Sequence, residues 1–169
     1  MMRTALLSVV LVAAGLAGIV ALSTTAGPPD GYWGFDQDGV RVDLPRDLRT
    51  APTSGPDVLI EVGDERGDGV LVASVPRRGR TLERYVAFTI QGIRGGRAAG
   101  EVVEDEEADV PGADDARRLV ADYRERGLRT TQVIAQAGSR FVTLSVTERR
   151  DAPDAVLDTD TIVDSFELD

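Results

Sequence analysis

The sequence predicts an α+β domain, an antiparallel β-sheet flanked by helices and preceded by an N-terminal hydrophobic helix. Three observations carry this. Residues 129–148, RTTQVIAQAGSRFVTLSVTE, are β-rich on both sides of Gly138-Ser139. Gly then Ser between two such runs signals a two-residue hairpin, because Gly takes the positive φ the turn needs. Leu82, Tyr85, Val86, Ile90 and Ile93 recur at helical spacing. Short runs of Val, Leu and Ile, bounded by Gly, Pro and Asp, supply further strands.

The hairpin sets its own register. With the turn at Gly138-Ser139, Ala135 faces Val142, Val133 faces Leu144 and Thr131 faces Val146, which makes one mostly apolar face. The other face pairs Gln136 with Phe141, Ile134 with Thr143 and Gln132 with Ser145. A slip of one residue would mix these sets, so pattern and turn chemistry agree.

Composition narrows the possibilities. A chain of 169 residues, 42% hydrophobic and 28% charged, suits one globular domain. All 19 basic residues are Arg, as a GC-rich genome would choose. The net charge of −10 repels phosphate backbones, which argues against nucleic acid as a partner. Cysteine and histidine are both absent. Disulfides, thiolate nucleophiles, iron–sulfur clusters and Cys/His zinc sites are therefore excluded, as is proton transfer by imidazole. No cofactor is implied.

In chain order, residues 1–26 place Arg3 before an uncharged apolar run over residues 5–22. This is a signal peptide or a transmembrane anchor, long enough to span a bilayer. Thr24-Thr25-Ala26 offers small residues for cleavage before Gly27, so a cleaved leader and a retained anchor both stay open. Either one delivers the rest outside the cytoplasm. Residues 27–38 read as a linker, with Tyr32, Trp33 and Phe35 sealing one end of the core. The domain proper is expected over residues 39–169.

Val40, Val42 and Leu44 alternate with polar residues as a half-buried strand stopped by Pro45. Residues 58–62 and 70–75 are strands apolar on both alternating sets, as for strands covered on two faces. Thr81 is the expected N-cap of the helix, and Gly95-Gly96 its end. Residues 101–109, EVVEDEEAD, form a charged, exposed strand, and Pro111-Gly112 a turn. Residues 116–124 fit a helix or a strand, and the short Arg126-Gly127 joint to the hairpin favours the strand. A terminal helix is expected to open at Asp151-Ala152-Pro153-Asp154, presenting Ala155, Thr159, Ile162, Val163 and Phe166.

The run Val110-Pro111-Gly112-Ala113-Asp114-Asp115-Ala116-Arg117, then a strand, the hairpin and a closing Asp164-Ser165-Phe166, resembles the PsbP-like superfamily. More narrowly, it resembles the LpqN-type envelope proteins of high-GC Gram-positive bacteria. The resemblance covers residues 39–168 and implies an α/β/α sandwich with a non-enzymatic binding or scaffolding role in the envelope. LpqN-type proteins are usually lipoproteins, whereas this chain has no lipobox Cys.

Among candidate sites, Arg77, Arg78 and Arg80 form the one dense basic patch, just before a helix N-terminus, where Arg forks could hold a phosphate or anionic headgroup. A loop balancing nearby acids is the plainer reading. The acids of residues 101–109 alternate in direction and lack calcium-loop spacing, so they read as a solvated edge. Asp36-Gln37-Asp38-Gly39 reads as a turn, Asp158-Thr159-Asp160 as a polar helix face, and Arg66-Gly67-Asp68 as chance. The expected function is an extracytoplasmic, non-enzymatic binding or accessory module of the cell envelope. Its partner would be an envelope protein or a lipid or glycolipid, with membrane attachment through the N-terminal helix if that is retained. A structural subunit of an envelope or secretion complex and a hydrolase using two carboxylates are the alternatives.

Overall fold

The computed structural model describes residues 27–96, 99–150 and 157–169. The expected hairpin is present as β8 (Leu128–Ala137) and β9 (Arg140–Arg149). Gly138 turns the chain with φ of 53°. All six pairs expected from the sequence occur, from Thr131 opposite Val146 to Gln136 opposite Phe141. β9 continues onto β5 (Gly69–Pro76), and β8 onto β7 (Asp115–Tyr123). The hairpin therefore lies inside a seven-stranded antiparallel sheet. Beyond β5 follow β4 (Val58–Gly63) and the two-residue β3 (Arg49–Thr50), and beyond β7 the exposed edge β6 (Glu101–Glu107). The ambiguous segment before the hairpin is a strand, joined to β8 by a 3-10 turn over Arg124–Arg126.

A second sheet of three strands covers one face. It consists of β1 (Tyr32–Gln37), β2 (Val40–Pro45) and β10 (Glu167–Leu168). Between the two sheets lies the main core, where Val42, Leu44, Val72, Leu144, Val146 and Phe166 are almost wholly buried. Two expectations are corrected here. Residues 32–37, read as linker, are a strand, because Asp38-Gly39 (φ 54° and 66°) make a two-residue turn that folds them onto β2. The proposed helix start at Asp151 and Asp154 lies outside the described residues, as does Ala155. What is described is a short helix α2 (Thr159–Asp164), capped by the Asp158 side chain on the Thr161 N–H. The helix ends at Asp164, and Phe166, in the link that follows, and Leu168, in β10, are both buried.

The two halves of the sequence signature meet in this layer. Ser165 Oγ donates to the Ile162 carbonyl and accepts the Asp43 N–H at 2.9 Å, which ties the end of α2 to β2. Three residues later the Leu168 N–H donates to the Pro111 carbonyl at 2.8 Å. Pro111-Gly112 is a turn closed by Ala113 N–H on Val110 C=O, with Gly112 at φ +79° against the Leu168 backbone.

The opposite face carries α1 (Leu82–Gly95), N-capped by Thr81 as expected. Leu82 and Val86 pack on Leu119, Ile134 and Phe141, while the Tyr85 ring stacks on Phe141 at 4.5 Å between centroids. The architecture is thus a mostly antiparallel β fold with one long helix on one face and a small sheet plus one helical turn and a half on the other. The expected pair of flanking helices is only half realised. Because α1 does not reach β4 and the near end of β5, Leu71 stays half-exposed while Val62, Val70 and Val72 are buried in the main core.

Gly112 offers a sharp test. A Cβ there would sit 1.6 Å from the Leu168 carbonyl oxygen, on a backbone already in the left-handed region. Gly112→Ala is expected to lose about 2–4 kcal/mol and to free β10, read as a lower urea midpoint and lost amide protection at Leu168. An unchanged midpoint would show that this junction is not as tight as described.

Candidate functional site

The basic loop predicted as a site is largely turned inward. Arg77 donates from Nε to the Arg80 carbonyl and from Nη1 to the Gly138 carbonyl, at 3.2 and 3.0 Å. Arg80 donates from Nε to the Arg77 carbonyl and from Nη2 to the Pro76 carbonyl. Their guanidinium groups also lie over the Phe141 and Tyr85 rings, 5.9 and 5.4 Å from the centroids. Arg77 and Arg80 thus brace the hairpin turn against α1. Arg78 stands exposed at φ 49°.

The acids of β6 are shared between its two faces. Asp105 pairs with Arg117 on the α1 side, whereas Glu104 and Glu106 reach Arg118 on the other, and Glu101 reaches Arg124. This is what alternation along a strand requires. Asp68, in the Arg-Gly-Asp sequence, is buried and accepts the Arg149 N–H at 2.8 Å. Among the described residues, Asp43 is the carboxyl held above its usual range, by burial first and by Glu167 second, and it lies on β2, away from the grooves described below.

Two open grooves lie back to back across β8, because successive strand residues point to opposite faces. The first, about 590 Å³, is on the small-sheet side. It runs between β8, β7 and the segment leading into α2, and is lined by Arg118, Arg129, Thr131, Glu148, Asp158 and Thr159. Most of its charged groups have partners: Glu148 accepts from Thr159 Oγ1, Asp158 caps α2, Arg129 is bound to Asp122 and Arg118 to Glu104 and Glu106, although Arg118 Nε is buried with no hydrogen-bond partner among the described groups. The second, about 680 Å³, is on the α1 side where that helix stops short. It is lined by Glu61, Tyr123, Thr130, Gln132, Ser145 and Thr147, together with the glycines of the β4–β5 loop. Burial holds the Tyr123 phenol above its usual pKa, leaving it a neutral donor.

Sequence reasoning did not single out this second groove. The available signal was the Gln132–Ser145 pair, polar residues on a hairpin face whose other members are covered. On the small-sheet face, beside Arg129 of the first groove, sits Asp122, 5% exposed, held by Arg129 Nε at 2.8 Å and Arg150 Nη1 at 3.1 Å. The hydrogen bond from Arg129 is the main reason its carboxyl lies below the ordinary aspartate range.

With this geometry in hand, comparison with solved structures identifies the fold as PsbP-like. The solution structure of cyanobacterial PsbP (CyanoP) from Synechocystis sp. PCC 6803 superposes with a TM-score of 0.64 at 15% identity, covering 87% of this chain and 98% of that one. A Pseudomonas aeruginosa protein of unknown function, PA94, superposes at a TM-score of 0.44 and 13% identity over 69% of this chain and 81% of that one. No protein-family model matches the chain, and no curated protein matches it in sequence. Among the described residues, no helix is long and apolar enough to cross a membrane.

Asp122 sets an expected pH dependence. Its carboxyl is lowered in the folded state, so its stabilisation is complete above the unfolded value of about 3.9 and lost as pH falls through the folded one. Asp122→Ala should cost about 2 kcal/mol at pH 7, less than a fully buried pair because both guanidiniums reach water. The variant's urea midpoint should also fall less than wild type's below about pH 4. Parallel pH profiles for the two proteins would refute this role.

Proposed function

We propose that the chain is an extracytoplasmic, non-catalytic binding module of the cell envelope, of the LpqN type within the PsbP-like fold, carried outward by its N-terminal apolar segment. The observation that supports this reading is the pair of open grooves on opposite faces of one rigid sheet. Most of their charged side chains have partners within the fold, which favours recognition over proton transfer. A hydrolase working with two carboxylates needs one of them raised inside a cleft. The raised Asp43 is on the small sheet instead.

A photo-crosslinking residue placed at Ser145 or Glu148 in the full chain tests this in intact cells. The expected result is a ligand or protein adduct at one of these groove positions and none at Arg84, on the exposed flank of α1, with the chain reached by protease added to spheroplasts. A chain protected inside the cytoplasm, or adducts at neither groove, would overturn the proposal.

A further inference from the structure

The groove on the α1 side has a lining chemistry set by strand register. Gly63, Gly69, Thr147, Thr130 and Ala121 lie opposite one another across β4, β5, β9, β8 and β7. No side chain in this row is larger than threonine, so the row is a trough running across the strands. The next row toward α1, Glu61, Leu71, Ser145 and Gln132, forms its wall. Tyr123 closes one end, its ring packed where a Cβ on Gly100 would touch it.

The hydrogen-bonding state of this lining selects among ligands. Thr130 and Thr147 hydroxyls are 3.1 Å apart, and one serves the other. The Gln132 side-chain oxygen is buried with no hydrogen-bond partner among the described groups. Such an orphan acceptor costs about 1–3 kcal/mol, which a donor from a ligand would recover once the amide swings outward. Asp64 and Asp68 spend carboxylate oxygens on backbone N–H groups, and Glu61 accepts from the Ser54 N–H. No arginine lines the groove, so an anion finds no countercharge there. Few large apolar side chains face it, which disfavours an acyl chain. A volume of about 680 Å³ lies within the usual small-molecule range of about 300–1,000 Å³.

From these features we propose that the groove binds a neutral oligosaccharide. Its ring hydroxyls would meet Gln132, Ser145 and the Thr130–Thr147 pair, and its C–H face would rest on Leu71 and the small row. The inference rests on reading the chain as a binding module and adds the ligand class and the residues.

The test uses the full chain in a phosphocholine detergent, which carries no sugar, titrated with cellotetraose, maltotetraose and chitotetraose while backbone amide shifts are followed. At least one tetrasaccharide should shift Thr130, Gln132, Ser145 and Thr147 saturably. Gln132→Leu and Thr147→Val should weaken that binding about ten-fold or more, as loss of a buried hydrogen bond does. Gln132→Leu should meanwhile raise the thermal midpoint, because it removes an unpaired buried acceptor, an effect a merely structural glutamine would reverse. Unmoved groove amides at about 10 mM of all three sugars, or undiminished binding by Gln132→Leu, would overturn the inference. If sugars fail while an envelope lipid or protein crosslinks at Ser145, the ligand class falls and the binding module stands. If neither sugars nor groove crosslinks appear, both fall.

Discussion

The pairing register of β8 with β9 is the constraint on which the rest of the molecule depends. It decides that Val133, Leu144 and Val146 meet the small sheet while Ile134 and Phe141 meet α1. A one-residue slip would exchange these sets, and each fully buried aliphatic side chain is worth about 1.5–3 kcal/mol. The turn itself is pinned from two sides. Asp114 accepts the Gly138 N–H at 2.8 Å, and Arg77 donates to the Gly138 carbonyl. The loops before β7 and after β5 therefore hold the one turn that aligns the strands between them.

From this register follows an uneven coating of the sheet. The small sheet and α2 pack over one face near the turn, and α1 packs over the other, stacking Tyr85 on Phe141. Toward the other end of the hairpin neither layer extends far enough, and both faces open into grooves. Polar residues occupy the uncovered positions: Thr130, Gln132, Ser145 and Thr147 on one side, Arg129 and Glu148 on the other. On the small-sheet face the Asp122 carboxylate gathers Arg129 and Arg150, so charge ties β7 to β8 and to the end of β9 beside the first groove.

Much of this was legible in the sequence where local chemistry and long-range packing agree. Gly138-Ser139 with two alternating arms gave the register and the six central hairpin pairs, and Thr81 gave the start of α1. Asp38-Gly39 was an equally good turn signal, yet Tyr32, Trp33 and Phe35 sit among Pro and Gly and read as linker, so β1 was missed. Ile162, Val163 and Phe166 fit helical spacing, but the helix stops at Asp164, and docking of Glu167 and Leu168 onto β2 makes the end of the chain a strand. For the candidate site the limit was of another kind. Arg77 and Arg80 stand out by density of charge, but only coordinates show their donors spent on backbone carbonyls. The trough needs five strands in register, and no local pattern reports how far α1 reaches.

The register is open to a direct check because the chain has no cysteine of its own. Thr130 and Thr147 oppose each other with hydroxyls 3.1 Å apart, a spacing suited to a disulfide once both are replaced. On mild oxidation, the Thr130→Cys, Thr147→Cys protein should close an intramolecular disulfide and keep its fold. The Thr130→Cys, Val146→Cys protein should not, since those side chains point to opposite faces. Closure of the second pair in preference to the first would contradict the architecture and the grooves derived from it.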